Sequence, residues 1–154
     1  MKISSTGIVN NKLLDKYGKR GSAQKFGMPT TSFPLKIEEA PKNTKSYAII
    51  FDDPDSVPVC GYVWIHWLVA NLQKTELKED ESITSFDFIQ GKNSWNDNSY
   101  GGPCPPDKPH NYRIRVFALS DKLNLRGDFT LDQLEKEMEG KVLEQAELTA
   151  IYDN

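Results

Sequence analysis

Residues 61–71, GYVWIHWLVAN, form the most apolar run of the chain, and a histidine, His66, stands at its centre. We read residues 62–70 as a strand that is apolar on both faces. Val63, Ile65, Trp67 and Val69 are expected on one face, and Trp64, His66 and Leu68 on the other. A histidine in such a strand is either a core residue with a satisfied ring or a residue that lines a pocket.

Working outward, residues 45–52, KSYAIIFD, give a second strand, with Tyr47, Ile49 and Phe51 on one face and Ala48 and Ile50 on the other. Both faces are apolar, which predicts a central strand covered on both sides. The DDPDSVP that follows is turn chemistry. Residues 71–110 form a long, weakly patterned segment, and such segments in compact domains are often functional. Residues 111–119, NYRIRVFAL, alternate cleanly. Tyr112, Ile114, Val116 and Ala118 should face inward, with Arg113 and Arg115 in water. TLDQLEKEMEG is the clearest helix, with Thr130 and Gln133 as a capping box and Gly140 at its end. VLEQAELTAIY opens in continuing helix and closes as a terminal strand. Residues 1–34, rich in Gly and Pro, read as short strands and loops. The sum is one mostly β domain over residues 1–154. The expected architecture is an antiparallel β-sandwich with Greek-key connections and one or two short helices.

The chain has 154 residues and a net charge of −3, enough length for a core and too little positive charge for a nucleic-acid or acidic-membrane partner. The first 21 residues lack the apolar core of a signal peptide, and no stretch reaches the length of a membrane helix. The expected location is cytoplasmic. Cys60 and Cys104 fit two free thiols in a reducing compartment, with a single disulfide as the alternative.

Three stretches carry candidate chemistry: Asp52-Asp53-Pro54-Asp55, Trp64-Ile65-His66, and Tyr100-Gly101-Gly102-Pro103 leading to His110-Asn111-Tyr112. If their strands pair suitably, Asp53, His66, His110 and Tyr112 converge. Two imidazoles, a phenol and the backbone N–H groups of Gly101 and Gly102 suit a small oxyanion, and Trp64 supplies an apolar wall. Asp53 either keeps a histidine cationic or carries a proton itself. Each piece alone also has a structural reading: core histidine, turn aspartates, rigid Gly-Pro loop, core tryptophan. Zinc on Cys60, His66, Cys104 and His110 is disfavoured, because the spacing matches no common module. Serine hydrolysis through Ser94 or Ser99 lacks a GxSxG elbow. No cofactor is expected.

In combination, DDPD, GYVWIHWLVAN, YGGPCPPDKPHNYRIRVFAL and VLEQAELTAIY resemble the phosphatidylethanolamine-binding protein family, in its short bacterial and archaeal, Raf-kinase-inhibitor-like branch. The resemblance covers nearly the whole chain. It implies a β-sandwich with an anion pocket bounded by Asp53, Trp64, His66, Gly101, Gly102, His110 and Tyr112, and it implies a homodimer. The sequence departs from the family pattern at Asp53-Pro54-Asp55-Ser56-Val57-Pro58, where the second proline is displaced by one. It departs again at Asn93-Ser94-Trp95-Asn96-Asp97. The C-terminal helix of the longer eukaryotic members is not expected. The functional expectation is therefore a binding module for a small anionic ligand, not an enzyme. An inhibitor or regulator of a protease or kinase is the alternative, and an ester hydrolase the weaker third. Two histidines in one pocket predict affinity that strengthens as pH falls through roughly 6.5.

Overall fold

A computed structural model describes all 154 residues. The strands are β1 (Lys2–Ser4), β2 (Ile8–Val9), β3 (Lys12–Leu13), β4 (Gln24–Lys25), β5 (Met28–Pro29), β6 (Leu35–Glu38), β7 (Ser46–Asp53), β8 (Trp64–Leu72), β9 (Glu76–Leu77), β10 (Ile89–Gln90), β11 (His110–Leu119) and β12 (Val142–Tyr152). The helices are α1 (Val57–Cys60), α2 (Glu81–Thr84) and α3 (Leu131–Met138). Seven strands form the main sheet in the order β10-β8-β7-β11-β12-β3-β2. A three-stranded sheet, β1-β6-β9, and the β4-β5 hairpin accompany it. The fold is mostly β, as the strand patterns predict. Pairing is antiparallel except between β12 and β3, which run parallel.

β7 is buried along its whole length, and its alternation sorts two cores. Tyr47, Ile49 and Phe51 join Phe33, Leu35, Ile37, Trp67, Leu77, Ile114 and Val116 on the first face. The small sheet contributes Leu35, Ile37 and Leu77 there. Ala48 and Ile50 join Leu68, Ala70, Phe117, Leu119, Leu134 and Met138 on the second face, which α3 covers. A capping box of Thr130 and Gln133 starts α3. Gly140, in the left-handed region at φ 77°, follows its end.

Three expectations need correction. The helix does not continue into VLEQ: Val142–Tyr152 is strand throughout, because β11 offers it a hydrogen-bonding partner over nearly its whole length. Arg113 and Arg115 do not simply face water. They lie on the second face and both bond the carboxylate of buried Asp52. The strict alternation predicted for residues 62–70 also fails. Phe51 pairs with Trp67 and Asp52 with Ile65, so His66 is the extra residue of a β-bulge. The bulge puts His66 and Trp67, neighbours in sequence, on the same face, while Leu68 packs in the second core. Besides α3, the chain forms two further helices of one turn each, α1 and α2.

Candidate functional site

The central strand β7 runs antiparallel to both β8 and β11. Its C-terminal end therefore meets their N-terminal ends, and Asp53, Trp64, His66, His110 and Tyr112 gather at one end of the sheet. All five line a cavity of about 260 Å³. Its other walls are Ser56, Val59 and Cys60 from the turn after β7, Trp95, and the Cys104-Pro105-Pro106 segment. No lysine or arginine lines it.

His66 is 2% exposed, with its ring against Phe51, Tyr112 and Trp95. Its Nδ1 lies 2.6 Å from the carbonyl oxygen of Gly101. The Gly101 N–H donates back to the His66 carbonyl at 2.8 Å. A carbonyl only accepts, so Nδ1 carries hydrogen. Burial lowers the His66 pKa to about 4 against the opposing pull of the Gly101 carbonyl. The ring is neutral near pH 7, and Nε2 presents a lone pair. This corrects the expectation of two imidazoles that both donate to a ligand.

His110 differs. It is 1% exposed and held between two carboxylates, with Nδ1 2.6 Å from Asp53 Oδ2 and Nε2 2.7 Å from Asp107 Oδ1. Burial opposes its charge, but bonds to Asp53 and Asp107 outweigh burial and raise its pKa. Burial likewise raises the Asp53 carboxyl, with His110 pulling it back. The exposed Asp107 carboxyl is lowered, chiefly by its bond from His110. Both ring nitrogens face carboxylate oxygens, so the protonated ring donates to both sides and neither nitrogen is free for a ligand. Asp53 Oδ1 accepts from the Asp55 N–H at 2.9 Å, which starts the turn into α1.

The glycines serve packing rather than anion donation. The Gly101 N–H is committed to His66, and the Gly102 N–H donates to the Pro29 carbonyl at 2.9 Å. A Cβ at 101 would lie 2.5 Å from the Trp95 ring, and one at 102 would lie 2.1 Å from the Tyr17 carbonyl oxygen. Both glycines allow the close approach of other groups to the backbone, and their N–H groups do not face a ligand as donors. The unclaimed donors are elsewhere. Trp64 Nε1 and Tyr112 Oη are buried and have no hydrogen-bond partner. Burial raises the Tyr112 phenol further, so it remains protonated.

Sequence reasoning missed how Asn93 shapes one wall. Buried Asn93 donates to the Ser99 carbonyl and accepts from the Trp95 and Asp97 N–H groups. That loop sets Trp95 edge-on to Trp64, with ring centroids 5.2 Å apart. An asparagine three residues before Asn96 was the available signal, since Asx side chains bond the backbone just ahead. Ser94 accepts from the Ile65 N–H and donates its own N–H to the Ile65 carbonyl, which pins the start of β8. Cys60 and Cys104 are both free thiols, and both line the cavity with His66 and His110. No three of the chain's His, Cys, Asp or Glu groups come together as a metal site.

The family model described as phosphatidylethanolamine-binding protein matches residues 4–153. The uncharacterized protein YxkA of Bacillus subtilis is 39% identical, over 91% of this chain and 93% of that protein. A crystal structure of a phosphatidylethanolamine-binding protein homolog, CT736 from Chlamydia trachomatis, superposes with a TM-score of 0.85 at 30% identity, covering 99% of this chain and 96% of that one. YbcL of Escherichia coli, described as a new member of the mammalian family, gives a TM-score of 0.84 at 27% identity, covering 99% and 98%.

Proposed function

This chain belongs to the phosphatidylethanolamine-binding protein family, and on that premise we propose that it binds a small ligand whose anionic head, a phosphate or carboxylate, enters the cavity beside Trp64 and Tyr112, without covalent chemistry. One observation carries the reading: two buried donors, Trp64 Nε1–H and Tyr112 Oη–H, have no partner in the protein. Leaving a buried donor unpaired costs about 1–3 kcal/mol, a cost that a ligand oxygen removes. His110 supports the same head with a charge that Asp53 holds in place. Val59, Trp95, Pro105 and Pro106 offer apolar walls for the rest of the ligand.

Against hydrolysis stands the disposition of the hydroxyls. Ser56, the one serine that lines the cavity, places its Oγ 2.7 Å and 2.6 Å from the carbonyls of Asp53 and Tyr62 and accepts from the Trp64 N–H. It has no bond to either histidine. The Ser94 hydroxyl accepts from the Ile65 N–H and has no bond to either histidine.

Thermal unfolding with and without millimolar phosphoethanolamine tests the reading, on the wild type and on Tyr112→Phe. At a hundred times its Kd a ligand stabilises the fold by about 2.7 kcal/mol. Tyr112→Phe should leave the free protein as stable or slightly more so, because it removes an unsatisfied hydroxyl, and should lose most of the ligand shift. A shift of the same size in both proteins would move the head group away from Tyr112.

A second reading has an observation of its own. Val57, Val59, Tyr62 and Val63 are exposed together on the turn at the cavity mouth. Such a rim suits a protein partner, and under this reading the chain regulates a protease or kinase. Trp95 contributes less to it, being half-buried against Trp64 and His66. Charge substitution at Val59 and Tyr62 that leaves phosphoethanolamine binding intact but abolishes a protein interaction would favour the rim.

A further inference from the structure

We propose that the cavity takes its ligand only with a proton on the head group, as the monoanion of a phosphate monoester whose remaining P–OH donates to His66 Nε2. The inference rests on the reading of the cavity as the seat of an anionic head. It goes further by naming the ionisation state and by excluding an ester of the same charge.

Donors and acceptors on the cavity wall call for a particular head group. His66 Nδ1–H is spent on Gly101, so the nitrogen left for a ligand is Nε2, which in a neutral ring only accepts. The Asp53 carboxylate, also on the cavity wall, already accepts from His110 and from the Asp55 N–H. Trp64 Nε1 and Tyr112 Oη are the unpaired donors. A head group matched to this wall brings oxygens for two donors and one hydrogen for an acceptor. A phosphate monoester monoanion has both. Its dianion lacks the hydrogen and adds charge beside Asp53. A sulfate monoester has the shape and charge of the phosphate monoanion but no hydrogen to give, and a lone pair would then face a lone pair in a buried site.

The titratable groups that face His66 are few. β7 supplies Asp53, paired with His110, and through the sheet Asp52, paired with Arg113. β11 supplies His110 and Tyr112. Cys60 and Cys104 complete the wall. Burial pushes Tyr112 and Cys104 upward, away from neutral pH. A phosphate ester brings a titrating proton of its own, with a second pKa of about 6.

The test is calorimetric titration of the wild-type protein from pH 5.5 to 8 with phosphoethanolamine, with the sulfate ester of ethanolamine, and with 2-aminoethylphosphonate, whose second pKa is higher. At the acid end the sulfate ester should bind at least about a hundredfold more weakly than the phosphate. Affinity for phosphoethanolamine should fall towards tenfold per pH unit above about 6, and the fall for the phosphonate should begin at higher pH, by the difference in ligand pKa. A sulfate ester within about threefold of the phosphate, or coincident pH midpoints for phosphate and phosphonate, would overturn the inference and leave the anion pocket standing. No binding of phosphate, phosphonate or sulfate ester would overturn the pocket reading as well. His66→Gln, whose amide can turn an N–H to the ligand, should admit the sulfate ester. A folded His66→Gln protein that still rejects it would remove His66 as the discriminating group.

Discussion

Asp52 and Asp53 follow one another on β7, lie on opposite faces of the sheet, and are 2% and 4% exposed. Asp52 is gripped by guanidinium groups. Arg113 Nε and Nη2 lie 2.9 Å and 2.8 Å from its oxygens, and Arg115 Nη2 lies at 3.0 Å. Asp53 is gripped by an imidazole, 2.6 Å away, and by a backbone N–H. Arginine keeps its charge at every pH a protein survives, so the Asp52 cluster is fixed. Histidine does not, so the Asp53 cluster is conditional. Two adjacent carboxylates with equal burial thus become a strut on one face and a titrating wall of the cavity on the other. The partner alone makes the difference.

The largest effect that would break this contrast belongs to Asp52. Asp52→Ala strands two partly buried guanidinium groups and should cost about 3–4 kcal/mol in urea unfolding at about pH 7. A cost below about 1 kcal/mol would show the cluster to be no strut.

His66 sharpens the other side. Its pKa falls from 6.5 unfolded to about 4 folded because burial disfavours the charge. Between those values the unfolded chain binds the extra proton, so stability rises with pH and is lost as pH falls from 6.5 to about 4. The full loss is about 3 kcal/mol. Read as the difference between wild type and His66→Phe over that window, it should vanish in the variant. Parallel stability curves would mean that His66 keeps its unfolded pKa in the fold.

The smallest effect is at Asp53. It and His110 both hold protons more tightly in the folded state. The contribution of His110 is therefore complete below 6.5 and is lost as pH rises through its raised folded value. Asp53→Asn should cost about 1–2 kcal/mol at pH 6 and flatten the decline above 6.5. A variant with the wild-type slope would place the proton's partner elsewhere, with Asp107 the first candidate.

Much of this was legible in the chain itself. KSYAIIFD shows its two-faced burial in its alternation, and that alternation divides the two cores as read. The capping box at Thr130 is local, so it needs nothing beyond three residues of context. Other features were not legible. VLEQAELTAIY carries a mixed local preference, and a partner strand more than twenty residues upstream decides it. Arg113 and Arg115 look like solvent-facing residues in an alternating strand, and only the register that sets Arg113 opposite Asp52 reveals their counter-ion.

The sequence by itself determined which residues could build the cavity. Asp53, Trp64, His66, His110 and Tyr112 sit at strand ends, and antiparallel pairing about β7 has no choice but to bring those ends together. The tertiary structure decided what each residue does there. A bulge turned His66 onto the face of the first core, the Gly101 carbonyl took its one hydrogen, and two carboxylates fixed both hydrogens of His110. Residue type sets which protons and lone pairs exist. Which of them remain free for a ligand depends on hydrogen bonds to groups distant in sequence, and those exist only once the chain has folded.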